Sequence, residues 1–255
     1  IVPQFADREL KPDWGCLATG TAIFLVGLYK KTLLADPVGV HADWVFNHIA
    51  KGDGLTWFSA WVGSIAYGLQ IYFDFSGYSD MAIGLAIMFA IRFPTNFESP
   101  YKALSISDFW KRWHMSLTRF FRDYLYIPLG GNRSGFRLHV RNILLVFLIS
   151  GLWHGAGWTF VAWGALHGLY LVTHLSWTNM IWWLGWRPSG RAWSAFAWCL
   201  TMAAVMFAWV FFRSPDMASA LRMSKAMLGV DGIAIPHRWA AMVSEFPLAS
   251  EIFSG

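Results

Sequence analysis

The sequence predicts an all-α, multi-spanning integral membrane protein with broken or re-entrant helices, and three observations predict it. First, only 14% of the 255 residues are charged and 56% are hydrophobic. A soluble domain carries about 25% charged residues, so this chain lacks the polar surface to cover itself in water. Second, the mean hydropathy is +0.41. The 17 tryptophans point the same way, because Trp gathers at membrane interfaces and around buried polar groups. Third, the apolar residues fall in long runs separated by basic segments. The net charge of +5 and the pI near 9.3 therefore read as a topology signal rather than a nucleic-acid footprint. Cys16 and Cys199 lie in separate apolar runs without metal-binding spacing, and say nothing of the redox compartment.

Residues 1–13 are mixed in character and contain prolines, with no signal-peptide pattern. The first residue is not Met, so the expectation is a single transmembrane domain over 1–255 forming the C-terminal part of a longer protein. Trp14 to Tyr29 is the first apolar run, which Lys30-Lys31 is expected to stop. Gly54 to Ile91 is the second, with Asp74 and Asp80 as its only charges. As one helix it would measure about 57 Å against a bilayer core of about 30 Å. Two helices are expected, parting within Asp74-Phe75-Ser76-Gly77-Tyr78-Ser79-Asp80. The acids then either form a polar site with Tyr72, Ser76 and Ser79 or cap the helix ends, with Ser79 or Asp80 starting the next helix.

Between Ile91 and Asn142 lie nine of the 20 Lys and Arg with only three acids, which places this stretch on the cytoplasmic side. Ser107 and Asp108 are candidate caps for a helix from Phe109 to about Tyr126. Phe109, Trp113, Leu117, Phe120, Phe121 and Tyr124 recur on it at helical spacing. Residues 107–127 are expected to form an interfacial or re-entrant helix, ended by Pro128 and Gly130-Gly131-Asn132. The run Asn142 to Leu175 should break at Gly155-Ala156-Gly157. Trp193 to Phe212 has the length of one span, which brings the expected count to about six.

Ionisable residues in apolar runs mark candidate chemistry. His154 lies 13 residues beyond Arg141, roughly 20 Å along a helix, between Gly151 and Gly155. These glycines admit a close helix or a substrate. Equally, such a histidine can simply bond neighbouring helices. His114, flanked by Trp110 and Trp113, is either a solvated interfacial histidine or a base shielded from water. His41 and His48, in what reads as a loop, are seven apart, as are His167 and His174. That spacing separates side chains by about 10 Å on one helix face, too far for one metal without a third element. HExxH, GxSxG and a phosphate-binding loop are absent, so no metal and no nucleotide fold is inferred.

Several strings line up in order: Tyr72-Phe73-Asp74-Phe75-Ser76-Gly77-Tyr78-Ser79-Asp80, Pro94-Thr95-Asn96-Phe97, Phe109-Trp110-Lys111-Arg112-Trp113-His114, Tyr124-Leu125-Tyr126-Ile127-Pro128-Leu129-Gly130-Gly131-Asn132-Arg133 and Gly151-Leu152-Trp153-His154-Gly155. Together they resemble the membrane-bound O-acyltransferase family, most closely its bacterial alginate O-acetylation branch, which is related to D-alanine export and peptidoglycan O-acetylation proteins. The resemblance implies catalytic roles for His154 and His114 along one central tunnel. It also implies a cytoplasmic acyl donor, an extracytoplasmic polysaccharide acceptor such as alginate, and a place in the bacterial inner membrane. Family members are typically about twice as long, with further spans ahead of the shared region.

On that resemblance His154 is a general base on the acceptor hydroxyl, or helps to break the donor thioester, and His114 orients the second partner. Trp110, Trp113 and Trp153 are expected to line the substrate path and exclude water. Arg112, Arg119, Asn132 and Arg133, with Asp74, complete the candidate substrate contacts, the arginines attracting an anionic donor. No tightly bound cofactor is expected, and the donor is acetyl-CoA or an acylated carrier. Expected partners are a carrier protein on the cytoplasmic side, an extracytoplasmic acetyltransferase or polysaccharide-modifying protein, and membrane lipid, but no nucleic acid. The rival functions are a proton-coupled transporter using Asp74, Asp80 and His154, and a non-catalytic scaffold of a polysaccharide secretion complex.

Overall fold

The computed structural model describes Gln4 and residues 13–133, 135–230 and 232–233, so most of the opening stretch lies outside the described residues. Every regular element among them is helical. In chain order the α-helices are α1 (Trp14–Tyr29), α2 (Asp36–Ala50), α3 (Trp57–Met88), α4 (Ile106–Arg112), α5 (Met115–Phe121), α6 (Phe136–His154), α7 (Trp158–Trp183), α8 (Arg191–Arg213) and α9 (Met217–Met227), with a 3-10 turn at Pro100–Lys102.

Lys30-Lys31 does not stop the first helix. The chain continues through a π-helical stretch, Lys30–Ala35, into α2. Pro37 stands in the first turn of α2. It lacks an N–H, and its ring crowds the carbonyl four residues back, which a locally widened helix accommodates. The two lysines are neutralised where they stand. Lys30 Nζ lies 2.5 Å from Asp80 and Lys31 Nζ lies 2.8 Å from Asp74 and 2.7 Å from Asp36. His41 and His48 consequently sit on a helix rather than in a loop.

The same pairs overturn the expected break at 74–80. With both acids matched by lysines, α3 runs unbroken for 32 residues, about 48 Å. No helix begins near Ser79 or Asp80, so neither is a cap. Glycines bring α1 and α3 into backbone contact: a methyl at Gly27 would stand 2.5 Å from the Gly77 carbonyl oxygen, and one at Gly84 would stand 2.6 Å from that of Gly20. This is close packing of small residues, the device by which helices associate where no water drives them together.

One helix in place of two leaves five long rods among the described residues rather than six. By length and composition, Trp14–Ala50, Phe136–His154 and Arg191–Arg213 are apolar enough to cross a membrane. The last matches the expected span within two residues. The break at Gly155–Gly157 also falls where expected, with α6 ending at His154 and α7 starting at Trp158. Gly151 and Gly164 let these two helices meet, since a methyl on either would strike the backbone carbonyl of Phe160 or Phe147.

The basic helix differs from its expected form. Ser105, not Ser107 or Asp108, caps α4 by accepting from the Asp108 N–H at 3.1 Å. The helix then breaks at Trp113-His114, where His114 takes φ +44°. An outside segment holds the break open: Asn96 accepts from the Met115 and Ser116 N–H groups through its backbone and side-chain oxygens, and the Glu98 N–H donates to the Arg112 carbonyl. After α5, Arg122–Tyr126 is a π-helical turn.

The core sits where α4 meets the bundle. Phe109 and Trp113 are buried in one cluster with Trp163 of α7, Trp209 and Val205 of α8, Phe46 of α2 and Tyr67 of α3.

Candidate functional site

His154 is the last residue of α6, and the helix is continuous from Arg141, so it lies about 20 Å along the axis from that residue. Its Nδ1 is 2.7 Å from the Ser150 carbonyl oxygen. A carbonyl only accepts, so Nδ1 carries the proton and Nε2 is left with its lone pair free. Three aromatic rings hold the imidazole edge-on: Trp153 at 5.0 Å, Trp163 at 5.0 Å and Phe212 at 5.3 Å between centroids. Elements α6, α7 and α8 thus each supply one wall. Gly155 sits where a methyl would stand 2.5 Å from the Phe160 ring.

His114 enters from the other side. The α4–α5 break turns its ring onto Phe75 of α3, with centroids 4.7 Å apart. A chain of ring contacts joins the two imidazoles: Phe75 to Phe97, Phe97 to Trp113, Trp113 to Trp209, and Trp209 to Phe212 beside His154. The two candidate histidines, 40 positions apart in sequence, therefore belong to one aromatic-walled region.

The remaining candidates divide. Trp113 is buried at the centre of this wall, and Trp110 donates from Nε1 to His167 Nδ1 at 3.2 Å. Trp153 is 60% exposed, so within the described residues it covers His154 from one side only. Arg112 is matched by Asp108 at 2.8 Å, one turn back, whereas Arg119 and Arg133 are exposed and form no ion pair among the described residues. Asn132 is exposed at the loop tip. Asp74 is exposed and paired with Lys31, not gathered with Ser76 and Ser79, whose buried hydroxyls have no hydrogen-bond partner.

Two residues were missed by sequence reasoning. Asn142 is fully buried and donates to the carbonyls of Leu129 and Gly131, fastening the Pro128–Arg133 loop to α6. His167 is fully buried between Trp110, Trp163 and Phe109. Its place four residues after Trp163, on the same face of α7, was the available signal. A pocket of about 190 Å³ is lined by Ser150, Trp110, Thr118, Phe121, Val146 and Phe147. Neither it nor a wider cleft of about 980 Å³ between α7 and α8, lined by Trp177, Trp186, Trp193 and Arg187, includes either candidate histidine.

Long apolar helices with half-buried His114 and His154 among aromatic rings define an apolar helical protein of membrane type. The comparison with known sequences makes the class specific. Residues 45–213 match the model of the membrane-bound O-acyltransferase family, and the chain belongs to that family. It is 45% identical over 238 residues to a peptidoglycan O-acetyltransferase of Helicobacter pylori, covering 93% of this chain and 44% of that protein. It is 42% identical over 229 residues to the probable alginate O-acetylase of Pseudomonas aeruginosa, covering 89% and 41%. A teichoic acid D-alanyltransferase of Bacillus subtilis is 32% identical over 156 residues, covering 57% and 39%. The chain thus spans less than half the length of these relatives.

Proposed function

We propose that the protein carrying this chain is an O-acyltransferase of the bacterial inner membrane. It moves a short acyl group, acetyl in the first instance, from a cytoplasmic donor to hydroxyls of an extracytoplasmic polysaccharide such as alginate. The observation that carries the reading is the His154–Ser150 hydrogen bond, which leaves Nε2 as a base in a site walled by rings. In the transfer, Nε2 takes the proton of the acceptor hydroxyl as its oxygen attacks the thioester carbonyl carbon. The new C–O bond forms, the C–S bond breaks, and the thiolate recovers the proton from the imidazolium. His114 orients the second partner across the same region. Water exclusion by Trp113 and Trp163 protects the thioester from hydrolysis.

Acetyl is the group in the names of the peptidoglycan and alginate relatives, which supports a short acyl group. Exposed Arg119 and Arg133 support an anionic donor, acetyl-CoA or an acylated carrier, more than Arg112, which Asp108 already neutralises. Peptidoglycan and teichoic acid, the acceptors in the relatives' names, are the alternatives to alginate. An extracytoplasmic polysaccharide-modifying protein is the expected partner. The ion pairs of Asp74 and Asp80 with lysines favour this reading over a proton relay.

The test uses inverted membrane vesicles, whose cytoplasmic face is outward, supplied externally with acetyl-labelled CoA and loaded with polymer. Label on the enclosed polymer supports the donor side and direction. Label confined to the outside, or none with any thioester donor, contradicts them.

A further inference from the structure

Two buried N–H donors, one of them on a ring that touches His154, have no partner. Trp110 donates to Nδ1 of His167, and an indole cannot accept. The His167 proton therefore sits on Nε2, the reverse of His154. Nε2 of His167 has no hydrogen-bond partner, nor has Nε1 of Trp163, although the two residues are 0% and 1% exposed. They stand one turn apart on α7 with ring centroids 5.1 Å apart, and Trp163 is also one of the three rings around His154. Trp209 Nε1, in the same cluster, likewise has no hydrogen-bond partner, but its residue is on α8. Leaving two buried donors unsatisfied costs about 1–3 kcal/mol each, and both demand an acceptor.

We infer that His167 Nε2–H and Trp163 Nε1–H form a two-donor site for an oxygen, and that its occupant during reaction is the carbonyl oxygen of the acyl group. The inference rests on the acyltransfer reading above. When the hydroxyl attacks, the carbonyl electron pair moves onto that oxygen, and fixed donors in a water-poor site stabilise the charge. The pair returns as the C–S bond breaks. Trp110 acts through His167, holding the tautomer that presents a donor.

The test compares His167→Asn, His167→Gln, Trp163→Phe and His154→Ala in the complete protein, with acetyl transfer from labelled thioester measured in membranes. Asn supplies an acceptor for Trp110 but nothing at the Nε2 position, whereas the longer Gln amide reaches that position with an N–H. The expected result is a turnover at least tenfold lower in His167→Asn and Trp163→Phe, with donor KM, membrane level and melting temperature held, and most turnover kept by His167→Gln. Wild-type turnover in His167→Asn and Trp163→Phe, with His154→Ala inactive, overturns the inference alone. Losses in all three substitutions that follow their melting temperatures also overturn it, and mark a structural water site. Activity in His154→Ala overturns the acyltransfer reading itself.

Discussion

His154 donates from Nδ1 to the carbonyl oxygen of Ser150, one turn back on the same helix, at 2.7 Å. This bond fixes which nitrogen of the candidate base is free. His154→Asn keeps a donor near the Nδ1 position but has no base at Nε2. General base catalysis is worth about 10²–10⁴-fold, so acetyl transfer in membranes should fall by that factor while the variant accumulates normally.

Lys30 and Asp80 pair at 2.5 Å with about a quarter of each side chain exposed. That places the pair between exposed and buried cases, and removing one partner should cost about 1–3 kcal/mol. Asp80→Asn and Lys30→Met should each lower the melting temperature in detergent. The exchange Lys30→Asp with Asp80→Lys should restore most of it, which a proton-relay role for Asp80 would not permit in activity.

Gly27 and Gly77 allow α1 and α3 to touch backbone to backbone. Gly77→Val forces the helices apart, with overpacking costs of about 1–3 kcal/mol. Reduced membrane accumulation and a lower melting temperature are expected, and a substitution such as Tyr78→Phe, on the exposed neighbour, should show neither.

Asn142 anchors the Pro128–Arg133 loop through two carbonyls. Asn142→Leu leaves the Gly131 carbonyl unpaired, at a cost of about 1–3 kcal/mol, and the Leu129 carbonyl with only the long Arg141 contact at 3.4 Å. Faster hydrogen exchange and proteolysis should appear in 127–133, with α8 unaffected.

Asp216 caps α9. The Ser219 N–H, then its hydroxyl, hold the carboxylate below the ordinary Asp range. A depressed folded pKa stabilises above the unfolded value, near pH 4, and that stability is lost as pH falls through the folded one. Asp216→Asn, still a cap but not titratable, should flatten this part of the melting profile between about pH 5 and 3.

The sequence discloses some of this fold better than other parts. Gly155–Gly157 and the uncharged run into Arg213 are local signals, and both element ends fall where those signals lie. The continuity of α3 was hidden because it depends on lysines 43 and 50 positions away. The break at Trp113-His114 was hidden for a similar reason, since Asn96 and Glu98 hold it from outside the helix. His154 was legible as an ionisable residue deep in an apolar run. His167 lies in such a run too, but its spacing to His174 speaks only to metals, and only the Trp110 hydrogen bond shows which of its nitrogens carries the proton. The free Nε2 of His154 is also a matter of a 2.7 Å contact that no pattern of residue types encodes.

The most direct measurement is polymer O-acetylation in cells whose own acetyltransferase is deleted, supplied with the complete protein as wild type or His154→Ala at matched membrane levels. The account predicts acetylated polymer with the wild type and none with the variant. Equal acetylation by both would remove His154 from the chemistry and contradict the account.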